Sequence, residues 1–364
     1  MDVMGVGGHS NDGGRTWTPF IPRPDFDGGL PTGYRREWHT PFFDQSTGRL
    51  ITIVNAMDTP GVDPLLVEPP IALKSYYLRY RVSLDAGRTY LFDEPLVAAG
   101  RDPPSPLPGV QIGQNAVFMG DGGSQLIRLS TGEILVPAQM TIAGDDGELV
   151  SPGGGFTWTA VIVLIGTWRD DHRLGWCVSE PVHARPQEST RGFLEPTLVE
   201  LRDGRLLMVM RGSNGGLHDP GFKIPGWRWM TTSLDGGRHW SAPTPMTLDD
   251  GVPFYSPSSM SQLLRHSSGR LYWIGNLTPE NPRGNSPRWP LVIAEIDESR
   301  LVLFKHSIIV IDTRTDQDVD GVELSPHGPA IEDRQSGDII LPMLRFQTGY
   351  TSFKPMEYRI DVEQ

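Results

Sequence analysis

Apolar residues in this chain come in short runs, most of four to eight residues, cut by polar turns that carry glycine. Tyr76-Tyr77-Leu78-Arg79-Tyr80-Arg81-Val82, Leu198-Val199-Glu200-Leu201 and Leu206-Leu207-Met208-Val209-Met210 are the clearest. Runs of this length bounded by turn residues predict strands rather than helices. Two turn signals interleave. One is an S-x-D-x-G-x-x-aromatic motif: Ser10-Asn11-Asp12-Gly13-Gly14-Arg15-Thr16-Trp17, Ser83-Leu84-Asp85-Ala86-Gly87-Arg88-Thr89-Tyr90 and Ser233-Leu234-Asp235-Gly236-Gly237-Arg238-His239-Trp240. The second interval is about twice the first, so a degenerate copy is expected between them, at Thr167–Trp176, and a weaker one at Ile296–Ser299. The other signal is a small polar turn at Gly48, Gly132, Gly204, Gly269 and Gly337, roughly every 70 residues. In such turns Asp accepts hydrogen bonds from turn amides and Gly takes positive φ. Two hairpins per period mean four antiparallel strands per unit, which predicts an all-β propeller.

Composition supports strands. Forty-two glycines and 33 prolines disfavour long helices, and 10 Trp, 9 Tyr and 13 Phe require burial. The net charge of −12 argues against a nucleic-acid partner, because phosphate binding rests on Lys and Arg. Cys177 is the single cysteine, so no internal disulfide forms. The longest apolar run, Trp158 to Trp168, is about half of a membrane span. The first residues lack a charged and apolar leader, which reads as cytoplasmic for the chain as written, or as secreted or periplasmic if the start is truncated. No HExxH, CxxC or paired-His spacing points to a metal, and no cofactor is expected. The run Ser151-Pro152-Gly153-Gly154-Gly155 lacks the lysine and helix of a phosphate loop and reads as a plain loop.

The S-x-D turns resemble the Asp boxes of sialidases and their relatives. Further stretches are similar to sialidase blades: Ile112-Gly113-Gln114 through Pro137 to the third, Glu195-Pro196-Thr197-Leu198 with Asp203-Gly204-Arg205 and Arg211 to the fourth, and Asn276 through Arg288-Trp289-Pro290-Leu291-Val292 to the fifth. The resemblance implies a six-bladed propeller of four-stranded antiparallel blades spanning residues 1–364 as one domain, with an incomplete N-terminal blade. It also implies three arginines around the carboxylate of an acidic sugar, a Tyr nucleophile activated by a Glu, and an Asp acid/base. By motif, Arg211 matches the second clamp arginine, Arg288 the third with Arg283 competing for that place, and Glu195 the glutamate.

Three features depart from that pattern. The family's Arg-Ile-Pro motif and its acid/base Asp have no counterpart before Ser10. The stretch Val322–Pro329, where a Tyr is expected, contains none, leaving Tyr350 further on as the candidate nucleophile; Tyr255 is out of place. The resemblance therefore implies an exo-glycosidase hydrolysing terminal acidic sugars, such as sialic acid, from glycans. Two alternatives stand beside it: a catalytically silent carbohydrate-binding propeller, and a uronate-directed polysaccharide lyase or hydrolase. In the last, His39 and His327 at strand heads would move the proton and Arg36 (or Arg35) would neutralise the carboxylate. The expected partner is an acidic glycan or oligosaccharide.

Overall fold

The structure is a computed structural model. It describes residues 33–62, 70–120, 122–318, 321–347 and 352–362, with short pieces at 7–9 and 18–20 and single residues 16, 30 and 66. The first S-x-D copy lies outside the described residues apart from Thr16, and Tyr350 lies outside them as well.

The chain is all-β apart from short helical turns such as α1 (Ala72–Ser75), and its sheets follow one another along the sequence as propeller blades do. Among the described residues, strands β1 (Gly7–His9) and β2 (Thr18–Phe20) form a two-stranded sheet. The first blade contains β3 (Tyr34–Trp38), β4 (Phe42–Asp44), β5 (Arg49–Asp58), β6 (Tyr77–Ser83) and β7 (Asp93–Pro95). The second contains β8 (Val117–Phe118), β9 (Ile127–Arg128), β10 (Ile134–Thr141), β11 (Thr159–Trp168) and β12 (Leu174–Val178). In the third, β13 (Leu194–Glu200), β14 (Leu206–Arg211), β15 (Arg228–Ser233) and β16 (Thr244–Pro245) lie side by side in sequence order. The fourth joins β17 (Thr247–Leu248), β18 (Gln262–Arg265), β19 (Leu271–Asn276), β20 (Leu291–Asp297), β21 (Val302–Leu303) and β22 (Ile309–Asp312). The fifth has three strands, β23 (Ile331–Glu332), β24 (Ile339–Gln347) and β25 (Ser352–Ile360).

The propeller expectation holds, but the count is corrected: five blades, not six, and they are not uniformly four-stranded. The sialidase resemblance implies six blades and puts the Ser10 motif in an incomplete N-terminal one, but the described residues before Tyr34 supply only the two-stranded β1–β2 sheet. The five glycine turns count the blades correctly. Gly48, Gly132, Gly204, Gly269 and Gly337 each join the first hairpin of a blade, with φ between +69° and +107°. Of the S-x-D turns, Ser83–Tyr90 leads from β6 towards β7 and Ser233–Trp240 from β15 towards β16; the degenerate copies lie between β11 and β12 and between β20 and β21. At Ser83–Tyr90, Thr89 N donates to Asp85 Oδ1 (2.8 Å), Thr89 Oγ1 donates to Asp85 Oδ2 (2.7 Å) and Gly87 N donates to Ser83 Oγ (2.8 Å). The Thr89 amide and hydroxyl hold the Asp85 carboxyl down at about 2.

The chain divides into two compact units. One comprises residues 1–119, 140–149 and 166–177; the other comprises 120–139, 150–165 and 178–364. In the second unit, successive residues of one strand serve two different cores. Leu271 and Trp273 of β19 join Leu207, Val209, Val292 and Phe254, whereas Tyr272 and Ile274 join Leu291, Ile293, Leu324 and Leu341. Period-2 alternation with both faces buried explains why the strand reads as an uninterrupted apolar run. Trp273 is wholly buried, with its ring edge-on to Phe254 at 5.3 Å. Trp273→Ala should destabilise the protein by about 3–5 kcal/mol, read as a lower urea midpoint; a shift below about 1 kcal/mol would contradict this packing.

Candidate functional site

The third blade places three chemistry-bearing residues at one strand end. The antiparallel register sets Leu194 opposite Arg211, and Arg211 opposite Arg228. The other end of β14, Leu206, faces Ser233, where the S-x-D turn begins. Arginines and turn therefore lie at opposite ends of the blade, roughly 17 Å apart at about 3.4 Å per residue.

Glu195 reaches the cluster through an irregularity. The β13–β14 ladder shifts register between Leu194 and Thr197, as at a β-bulge, and Glu195 takes φ +47°. Non-glycine residues held in this conformation concentrate at functional sites. Its amide donates to Gln139 Oε1 (2.7 Å), and Gly120 packs so close that a Cβ there would meet Glu195 Cγ at 2.9 Å. Glu195 Oε1 accepts a short charge-assisted hydrogen bond from Arg211 Nη1, and Glu195 Oε2 is buried without a hydrogen-bond partner.

One segment, Ser256-Pro257-Ser258-Ser259, mounts three arginines. Arg211 Nε donates to Ser258 Oγ (2.7 Å), and Arg288 Nη2 donates to Ser258 O (3.1 Å). Arg228, 1% exposed, donates to Ser259 O and Ser256 Oγ, both at 2.8 Å. Asn285 links two of them again, its side-chain oxygen accepting from Arg211 Nη2 (3.2 Å) and its carbonyl from Arg288 Nε (3.2 Å). Arg288 also lies 3.5 Å from Glu323 Oε2, and Ser286 Oγ donates to Glu323 Oε1 (2.8 Å). Burial raises the Glu323 carboxyl above its usual range, against the opposing pull of Ser286, Arg288 and His327.

Arg191 is the fourth arginine. Its Nε donates to Thr157 Oγ1 (3.0 Å), and its guanidinium stacks 3.9 Å from the centre of the Phe156 ring. Burial pushes Arg191 and Arg228 each down to about 9; the positive charges of Arg211 and Arg288 act in the same direction and Glu195 in the opposite one. Among the described residues, four guanidiniums thus share one electrostatic neighbourhood with two carboxylates, a local excess of positive charge in a chain of net −12.

The candidates from sequence therefore separate. Glu195, Arg211 and Arg288 come together, and His327 reaches them through Glu323, its ring edge-on to Phe346 at 6.1 Å. Arg283 does not share these bonds: its guanidinium stacks on Phe222 (4.8 Å) and its amide donates to Ser286 O. Arg36 and His39 belong to the other compact unit. There Arg36 Nη1 donates to Asp58 Oδ1 (2.7 Å), and buried His39 donates its amide to Ile53 O (3.0 Å). Tyr350 falls outside the described residues. Arg191, Arg228 and Glu323 were not anticipated. Arg228 stands between Trp227 and Trp229 and Glu323 between Val322 and Leu324, so neither carries a sequence signal beyond its charge. Among the described residues, no group of three or more His, Cys, Asp or Glu is placed to hold a metal, and no helix is long and apolar enough to cross a membrane.

Residues 35–351 match the family model of the BNR repeat-like domain. The chain belongs to this family. The sialidase-like resemblance read from the BNR-type repeats is thereby borne out, and solved structures agree in fold. A Hadza microbial sialidase superposes with a TM-score of 0.57 at 16% identity, covering 97% of this chain and 58% of that one. A protein of unknown function from Dyadobacter fermentans gives 0.60 at 16% identity, covering 97% of this chain and 82% of that one. The NanB sialidase from Streptococcus pneumoniae, in complex with a chlorobenzylammonio-ethanesulfonate, gives 0.58 at 13% identity, covering 98% and 63%. This chain thus spans less than two thirds of the length of both named sialidases. No curated protein matches the BNR chain in sequence.

The pairing makes a stability prediction. Arg211→Met leaves the buried Glu195 carboxylate without its partner and should cost about 3–5 kcal/mol. Arg283→Met, which removes only a stack on Phe222, should cost less than about 1 kcal/mol. Chemical denaturation of the two variants distinguishes them, and equal losses would contradict the assignment of Arg211 to the cluster.

Proposed function

We propose that this chain binds a terminal acidic sugar of a glycan through its carboxylate and hydrolyses the linkage, as a sialidase-like glycoside hydrolase built on one propeller domain of residues 1–364. The observation that carries this reading is the excess positive charge where Arg191, Arg211, Arg228 and Arg288 meet. Guanidiniums held in fixed orientation suit bidentate recognition of a carboxylate, and a bound anion relieves the repulsion among them. In this reading Arg211 and Arg288, rather than Arg283, contact the ligand. Arg191 adds a further guanidinium to the anion site, and Arg228 acts from behind. Glu195 is the candidate proton-handling carboxylate, and His327 acts on the site through Glu323. Named relatives are sialidases at low identity, which supports the fold and makes the acidic sugar the first ligand to test.

A second reading, binding without turnover, is favoured by one observation: Val322–Pro329 holds Glu323 and His327 where the family's resemblance calls for a tyrosine. Loss of a covalent nucleophile removes the intermediate altogether. Fluorogenic sialosides should therefore be turned over poorly or not at all. The hydrolase reading then depends on release of the sugar from a natural acidic glycan, and product analysis by mass spectrometry separates the two readings.

Two further outcomes are expected. In calorimetry, N-acetylneuraminic or glucuronic acid should bind while galactose and glucose do not. Arg191→Ala and Arg288→Ala should each weaken the acid by about ten- to a hundredfold, the value of charge-assisted hydrogen bonds of about 1.5–3 kcal/mol. Equal binding of neutral sugars would refute the clamp. Affinity should also depend on pH. Ionised Glu323 neutralises Arg288, and its carboxyl takes a proton at higher pH than an ordinary one. Lowering the pH from about 8 towards about 5 should thus free Arg288 and tighten binding, while the sugar acid stays ionised. Glu323→Gln should flatten that profile, and His327→Gln tests the other titratable group facing Glu323.

A further inference from the structure

The glycine-rich run at 151–155 is built to a shape. Gly155 N donates to Thr190 O (3.0 Å), Leu217 N donates to Gly154 O (2.8 Å) and Ser151 Oγ donates to Gly155 O (2.6 Å). His218 Nδ1 lies 3.0 Å from Pro152 O. The close approach requires glycine at two positions in particular. A Cβ at Gly153 would fall 2.5 Å from Thr190 O, and one at Gly154, where φ is +75°, would fall 2.7 Å from His218 N. Backbone bonds thus pin the run against Thr190 on one side and Leu217–His218 on the other.

Immediately after this pinned run stands Phe156, 69% exposed, and Leu217, 79% exposed, is bonded to the run itself. Two large apolar side chains are held at the surface by a backbone that has little freedom to withdraw them. Phe156 is also the ring on which Arg191 stacks, and the segment that carries Arg191 is bonded to the one that follows Arg211: Thr190 N donates to Ser213 O (2.9 Å) and Ser213 N donates to Ser189 Oγ (3.0 Å). With Arg191 over the ring, Phe156 keeps most of its surface in solvent beside the cationic group. An exposed aromatic ring next to an anion site packs against the C–H face of a pyranose and leaves the sugar hydroxyls in water. Asp219, the nearest acid in sequence to Leu217, is buried and accepts the amides of Gly215, Lys223 and Ile224.

We infer that Phe156 and Leu217 form a second sugar subsite beside the arginine cluster, which takes the uncharged sugar ring to which the acidic sugar is linked. The inference rests on the acidic-glycan reading and adds the length and chemistry of the ligand: at least two rings, acid first, neutral second. Arg191 joins the two subsites, because one guanidinium both stacks on Phe156 and contributes to the anion site.

Calorimetry with two ligand pairs tests it: N-acetylneuraminic acid against 3′-sialyllactose, and glucuronic acid against a glucuronyl-glucose disaccharide. The wild-type chain should bind the longer member of at least one pair roughly tenfold more tightly, the size of one aromatic stacking contact. Phe156→Ala should bind the monosaccharide as the wild type does and lose the gain from the second ring, Phe156→Trp should keep it, and Leu217→Ser should lose part of it. Equal wild-type affinity for both members of each pair overturns the subsite and leaves the arginine clamp standing. So does a Phe156→Ala variant that weakens monosaccharide and disaccharide alike, since the ring would then act only through Arg191. Absence of binding by either acid overturns the clamp reading, and the subsite with it. Phe156 is exposed, so the variant should keep the wild-type unfolding midpoint, which guards against a trivial loss of fold.

Discussion

Like charges repel, and the described residues hold four guanidiniums together with two carboxylates among them. What makes the arrangement tolerable is a set of uncharged oxygens. Ser256, Ser258 and Ser259 accept N–H groups from Arg211, Arg228 and Arg288, and Thr157 accepts one from Arg191. Neutral acceptors satisfy the hydrogen-bonding demand of an arginine without cancelling its charge. The site therefore keeps its field; the depressed values of Arg191 and Arg228 come chiefly from burial, with the charges of Arg211 and Arg288 adding to it.

Such a cluster needs a stiff support, and the blades supply it. Strands whose alternate residues enter two separate cores cannot slide by one position without exchanging those cores. The register that sets Arg211 against Arg228 is fixed by the same packing that buries Leu207, Val209 and Trp273. At the edge of this rigid sheet, the irregularity between Leu194 and Thr197 turns one residue, Glu195, towards its arginine. Order in the sheet and a single departure from order thus divide the task between them.

The fold was legible in the sequence because turn chemistry is local. A glycine at positive φ or an Asp that accepts its own turn amides marks a hairpin wherever it stands, and the five glycine turns count the five blades. The six-blade expectation came from the resemblance, which counts the Ser10 motif as part of a blade, whereas among the described residues β1 and β2 form a two-stranded sheet of their own. The site was less legible. Arg211, Glu195 and Arg288 stood out because they lie in longer stretches resembling sialidase blades. Arg191, Arg228 and Glu323 are brought in by tertiary packing between segments far apart in the chain, and a lone charged residue beside an apolar run does not announce its neighbours. The Ser256–Ser259 segment carries no charge of its own, and its function as an acceptor depends on three side chains that arrive from elsewhere.

The net charge of −12 has a kinetic consequence. An anion diffusing towards the arginines first meets a negative long-range potential, and only within about one Debye length, about 8 Å in physiological salt, does the local cationic field dominate. Encounter and capture are thus governed by opposite signs. A polyanionic chain is turned away in proportion to its total charge, while a molecule carrying one terminal acid passes with little penalty. Added salt should quicken arrival as it weakens retention. The distribution of charge over the whole molecule thereby acts as a filter on ligand valence before any side chain is touched.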